Sequence, residues 1–129
     1  MSGEPTTEAG TRVVVDTSVL IDLAGGDPKM ASVLDRQEVF ISIITGIEFL
    51  AWPKLTEAGV PVAMALLEQY ASENIGRAIR DKSAWIKRTF KLKLPDAVIA
   101  ATALHLNAPL ITRDKGFVKV AHLIEVRVV

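Results

Sequence analysis

The chain has 129 residues, half of them hydrophobic, which is enough for one packed core and too short for two ordinary domains. With no cysteine and only two histidines, it excludes disulfides, thiolate metal sites and a histidine-based zinc cage. Fifteen basic residues balance fifteen acids, yet residues 77–93 hold seven basic residues against one acid and residues 1–76 hold four against eleven. Such a basic segment attracts a polyanion locally, although a solvated helix face has the same composition.

The first eleven residues, MSGEPTTEAGT, are polar and aperiodic, and are expected to be a disordered leader before a single domain over 12–129. They do not resemble a signal peptide, and no apolar run is long enough to span a membrane. A cytoplasmic protein without membrane attachment is therefore expected. Val13, Val14 and Val15 are successive β-branched residues suited to a strand covered on both faces, as in a parallel sheet. This strand stops at Asp16, and Val19, Leu20, Ile21 and Leu23 continue with a helical pattern. Asp16 is then either a helix cap or, at the carboxyl end of a parallel strand, a group placed for chemistry.

Gly25 to Asp27 break the chain, and Pro28 opens a short helix through about Arg36. Glu38 to Ile43 form a second strand, parallel to the first by the crossover rule. Ile44 to Ala51 turn helical, with Thr45 as the expected cap. Glu48 lies inside that apolar stretch, so it needs either a polar stripe or a compensated pocket. A helix from Pro61 is expected to run through PVAMALLEQYASEN, with Val62, Leu66 and Tyr70 on one face beside Ala63 and Leu67. That stripe is core or a subunit interface, and a homodimer is expected because the apolar helix surface exceeds what the sheet can cover.

Asp81 to Phe90 is expected to be an amphipathic helix with Trp85 inward and Lys87 and Arg88 outward. Pro95 and Asp96 fit the first two positions of the next helix, where the dipole favours an anion. That helix is apolar nearly all round, so it is buried, and Asn107 ends it. Pro109 to Ile111 is a short strand that leaves through Thr112, Arg113 and Asp114, repeating the pattern at Asp16. Leu123 to Val129 is an edge strand.

Asp16 and Asp114 follow strands, while Glu48 and Asp96 lie near the starts of helices, so all four acids can reach one edge of a parallel sheet. Gathered carboxylates repel unless a cation intervenes. An oxygen-only donor set selects Mg²⁺ or Mn²⁺, and the chemistry such ions support is phosphoryl chemistry. Asp22, one turn beyond Ser18, reads as solvent-exposed.

VVVDTSVLIDL, Glu48 within ISIITGIEFLAWP, KLPDAVIAATAL and LITRDKGF together resemble a PIN domain, most closely the VapC-type ribonuclease toxins of bacterial toxin–antitoxin pairs. The resemblance covers about residues 12–128. It implies an α/β fold, a three-layer α/β/α sandwich around a parallel sheet of about five strands. It further implies hydrolysis of RNA, with Asp16, Glu48, Asp96 and Asp114 holding Mg²⁺ or Mn²⁺. Thr17 and Thr112 would orient carboxylates or water, and Lys87, Arg88, Lys91 and Lys93 would line the approach of RNA. A cognate antitoxin would be the protein partner, inhibiting through a basic side chain placed among the acids.

Other folds also open with a strand ending in Asp. A haloacid dehalogenase phosphatase needs a second Asp two residues on, where this chain has Ser18. A response-regulator receiver needs an acid pair after its first strand and a Lys after its fifth, neither of which is clear here. A PIN-like module without nuclease activity, binding RNA or a protein, is the remaining alternative.

Overall fold

The computed structural model describes residues 11–129, so most of the expected leader lies outside it, while Thr11 already opens the first strand. The elements are β1 (Thr11–Val15), α1 (Thr17–Ala24), α2 (Pro28–Leu34), β2 (Gln37–Ser42), α3 (Ile43–Leu50), α4 (Gly59–Leu67), β3 (Ala71–Glu73), α5 (Arg77–Phe90), α6 (Leu94–Leu106), β4 (Leu110–Thr112), a 3₁₀ helix (Lys115–Val120) and β5 (Val126–Val128). The five strands form one parallel sheet in the order β3-β2-β1-β4-β5. The chain steps outward from β1 to β3 and then returns to the other side of β1. The strand order therefore reverses between β1 and β4, the place where open α/β sheets bind ligands beyond their carboxyl ends.

The period of two along β1 divides the core into two layers. Val13 and Val15 face a cluster with Val19, Met30, Leu34, Ile41 and Ile111, which is the α1 and α2 side. Val14 faces the opposite cluster, in which α5 and α6 supply Ile79, Ile86 and the run from Ala97 to Ala101. All three valines are fully buried, each burial being worth about 1.5–3 kcal/mol. This is the α/β/α sandwich implied by the resemblance. α6 is buried continuously from Ala97 to Ala103, and its alanines let it approach the sheet and α5 closely. The left-handed residues Lys91 (φ 59°) and Asn107 (φ 52°) end α5 and α6, and Arg36 (φ 63°) turns the chain into β2. Among the described residues, no helix is long and apolar enough to cross a membrane.

Several local expectations are corrected. The cap of α3 is Ser42, whose hydroxyl accepts from the Ile44 N–H at 3.1 Å, while Thr45 lies inside the helix. α6 begins one residue early, at Leu94, which makes Pro95 its second and Asp96 its third residue. The helix expected from Pro61 starts at Gly59 and stops at Leu67. Ala71 to Glu73 become a strand instead, because Phe40, Ile41 and Ser42 pair with Ala71, Ser72 and Glu73. Of the expected stripe, Val62 is 71% exposed, whereas Ala63 is buried and Leu66, Leu67 and Tyr70 pack against the interior. In α5 the inward residues are Ile79, Ser83 and Ile86, spaced four and three apart; Trp85, a residue off that line, points outward.

Candidate functional site

Asp16 caps α1 and stands where β1 ends. Its backbone is extended there, the residue is 4% exposed, and Oδ1 accepts from the Val19 N–H at 3.1 Å and the Ser18 hydroxyl at 2.6 Å. Oδ2 accepts from the hydroxyl of Thr112, the last residue of β4. A carboxylate has about four acceptor positions, so these three donors hold the group in place and leave little more than one free. The fully buried Thr112 hydroxyl also accepts from the Asp114 N–H at 2.9 Å, coupling the first and fourth acids through one side chain.

Glu48 stands on α3, where Thr17 at the start of α1 donates to its Oε1 at 2.6 Å. The two threonines expected to orient the acids thus contact them directly, Thr17 at Glu48 and Thr112 at Asp16. Asp114 caps the 3₁₀ helix by accepting from the Gly116 N–H at 2.7 Å. A Cβ at Gly116 would lie 3.0 Å from Asp114 Oδ1, so a side chain there would press on the carboxylate.

Asp96, the third of the acids in chain order, is half-buried in the first turn of α6. Its carboxyl pKa is raised first by burial and then by the charges of Asp114, Glu48 and Asp16, with Lys93 opposing them. Charges on three other elements therefore act on Asp96 together. Unlike the other three, its side chain has no hydrogen-bond donor among the described residues. Nor do three Asp, Glu or His side chains there close into a ready-made cage for one ion. The acids are near enough to repel without being clenched. One turn before Glu48, the buried Thr45 hydroxyl has no partner among the described residues, whereas Thr102 back-bonds to its own helix at 2.8 Å.

Arg113 was not legible as a site residue. It lies between Thr112 and Asp114, its Nε is 2.5 Å from Asp22 on α1, and a terminal nitrogen is 3.0 Å from Asp27, the cap of α2. Its backbone N–H reaches the Ser18 hydroxyl at 3.3 Å. The turn carrying Asp114 is thereby tied to the α1 side of the crevice. Asp22, expected to be solvent-exposed, is half-buried in this ion pair. Its sequence signal was one acid a helical turn past Ser18 and another at Asp27, two possible partners for a single Arg. Lys87, Arg88, Lys91 and Lys93 are all exposed, and of these Lys93 is close enough to act on Asp96.

The PIN domain family model matches residues 13–123, and the chain belongs to the PIN domain family, whose members are generally nucleases that use divalent metals. Its structure is similar to a chain of a toxin–antitoxin complex from Klebsiella pneumoniae, at 35% identity over 81% of this chain and 89% of that one, with a TM-score of 0.72. It is also similar to chains of VapBC2 from Rickettsia felis bound to a promoter DNA fragment (14% identity, 92% and 99% covered, TM-score 0.77) and of VapBC-1 from nontypeable Haemophilus influenzae (23%, 92% and 98%, 0.75). Comparison with curated proteins gave no match.

Proposed function

We propose that this chain is a metal-dependent endoribonuclease and the toxin of a cytoplasmic toxin–antitoxin pair. The observation that carries this reading is the electrostatic meeting of Asp16, Glu48, Asp96 and Asp114, from four parts of the chain, at the carboxyl edge of the sheet. Membership of a generally nucleolytic family supports the activity, and the 35% identical chain from a toxin–antitoxin complex supports the biological setting.

The donor set fits a hard divalent ion. It consists of oxygen alone, and at Asp96 its charges are opposed only by Lys93, so a counter-charge there would do most to relieve repulsion. Asp16, Glu48, Asp96 and Asp114 would hold Mg²⁺ or Mn²⁺. When bound, such an ion supplies an acidified water and positive charge against that developing on a phosphodiester. The chain's own residues hold the frame. Thr112 fixes Asp16 and the backbone of Asp114 together, Thr17 turns one oxygen of Glu48 away from rotation, and Asp16 is kept rigid by three donors. Lys87, Arg88, Lys91 and Lys93 draw RNA phosphates toward Asp96 and offset the repulsion between substrate and acids.

Purified protein should cut RNA in Mg²⁺ or Mn²⁺ and stop in EDTA. Equal cleavage in EDTA by protein free of contaminating nuclease would sink the reading and favour a PIN-like binding module. The cognate antitoxin would inhibit by pairing a basic side chain with these acids, so Asp96→Asn plus Asp114→Asn should weaken its binding. The protein is also proposed to be a homodimer through the α4 face around Val62; Val62→Asp should shift its sedimentation to that of a monomer. A wild type already monomeric at micromolar concentration would refute the dimer.

A further inference from the structure

Lys82, Trp85 and Arg88 recur at every third residue of α5, which puts them in one stripe along the helix. Trp85 is 41% exposed although the sequence pattern favours burying it. Its indole is nevertheless braced. The Phe90 ring meets it edge-on at 5.6 Å and 89°, and the Phe90 ring in turn meets His122 at 5.1 Å. His122 follows the 3₁₀ helix that leaves Asp114, so the aromatic row is anchored on the chain segment that carries the fourth acid. Among the described residues, Lys82, Lys87, Arg88, Lys91 and Lys93 form no ion pair, whereas Arg80 of the same helix pairs with Asp81 at 2.9 Å.

We propose that Trp85, flanked by Lys82 and Arg88, is a stacking ledge for an unpaired nucleobase of an RNA strand running toward the acid crevice. The ledge rests on the endoribonuclease reading and adds to it a base contact that the cation set alone lacks. A single strand offers phosphates and bare aromatic faces together, and an exposed indole among unpaired cations complements both. A duplex hides its bases and would use only the cations. An acidic peptide would also satisfy the cations, but Lys91 and Lys93 follow this helix directly in the chain and the charge of Lys93 acts on Asp96, which favours the strand on which the acids would act.

The test is a titration in EDTA, where cleavage is suppressed, with a short labelled single-stranded oligoribonucleotide, following its anisotropy and the protein's tryptophan emission. Saturation should quench emission, and Trp85→Ala should abolish the quenching and weaken binding about tenfold without changing its salt dependence. Trp85→Phe should keep part of the affinity, while Arg88→Gln should reduce the salt slope by about one. RNA duplex should not quench. Unchanged affinity in Trp85→Ala, or quenching that survives in it and so comes from Trp52, overturns the ledge while leaving Mn²⁺-dependent cleavage to be judged separately. Quenching at Trp85 with no cleavage in Mn²⁺ supports the ledge and sinks the nuclease. Equal quenching by an acidic peptide overturns the assignment to RNA.

Discussion

At the end of β1, Asp16 is buried, caps α1 and is surrounded by the Ser18 hydroxyl, the Thr112 hydroxyl and the Val19 N–H; at the start of α6, Asp96 is half-buried, without a donor among the described residues, and subject to the charges of the other three acids. The same side chain is thus used in two ways. One carboxylate is a structural anchor held by three donors. The other meets the repulsion of the cluster, opposed only by Lys93, and it is where a bound cation would contribute most.

The sharpest way to separate the two is to neutralise each in turn. Asp16→Asn and Asp96→Asn should both lose detectable cleavage, with opposite effects on stability measured by thermal melting in EDTA. Asn at position 16 faces three donors with one acceptor oxygen, so unfolding stability should fall by roughly 1–3 kcal/mol. Asp96→Asn should melt at or above wild type at neutral pH. A raised carboxyl pKa means that the folded state holds its proton after the unfolded state has shed it. The stability contribution of Asp96 is therefore neutral below its ordinary value of 3.8, falls as pH rises from there through the raised folded value, and stays low above it. Wild type, but much less so Asp96→Asn, should lose apo stability across that window; parallel pH curves for the two would remove the contrast.

A smaller effect is expected at the link between the first and fourth acids. Thr112→Val keeps the shape but leaves the Asp114 N–H and one side of Asp16 without their partner. Cleavage should fall about 10–100-fold, as for other groups that orient metal-binding carboxylates. A variant with wild-type kinetics would show that Asp16 needs no help from β4. The smallest effect is expected at Arg113→Gln, which breaks two partly exposed pairs with Asp22 and Asp27 and frees the turn before Asp114. Metal affinity should weaken while the melting temperature barely moves, because exposed ion pairs contribute little to stability. A large drop in melting temperature would make Arg113 a fold residue instead.

The sheet was legible because strand and helix follow one another locally, and the expectation that four acids reach one of its edges agrees with the charges of Asp16, Glu48 and Asp114 acting on Asp96. Elements defined by their neighbours were not legible. Ala71, Ser72 and Glu73 have no strand character of their own and become β3 only through hydrogen bonding to β2. Trp85 is apolar enough to suggest burial, yet Ile86 takes the inward position beside it. Ser42 outcompetes Thr45 as a cap because the helix begins where β2 ends. Arg113 gained its role from partners 91 and 86 residues away, a pairing that no local pattern carries.

The hydrogen bond between Thr112 and Asp16 spans 96 residues, and β4 takes its place beside β1 only after β2 and β3 have been made. Contacts this distant in sequence form late, since their loop-closure cost is met only once the local structure is in place. A nascent chain that has emerged as far as α6 carries Asp16, Glu48 and Asp96 but has neither Thr112 to clamp the first acid nor Asp114 to complete the set. The four acids therefore come together only once synthesis has passed Asp114, so anything that needs all of them is withheld from a shorter nascent chain.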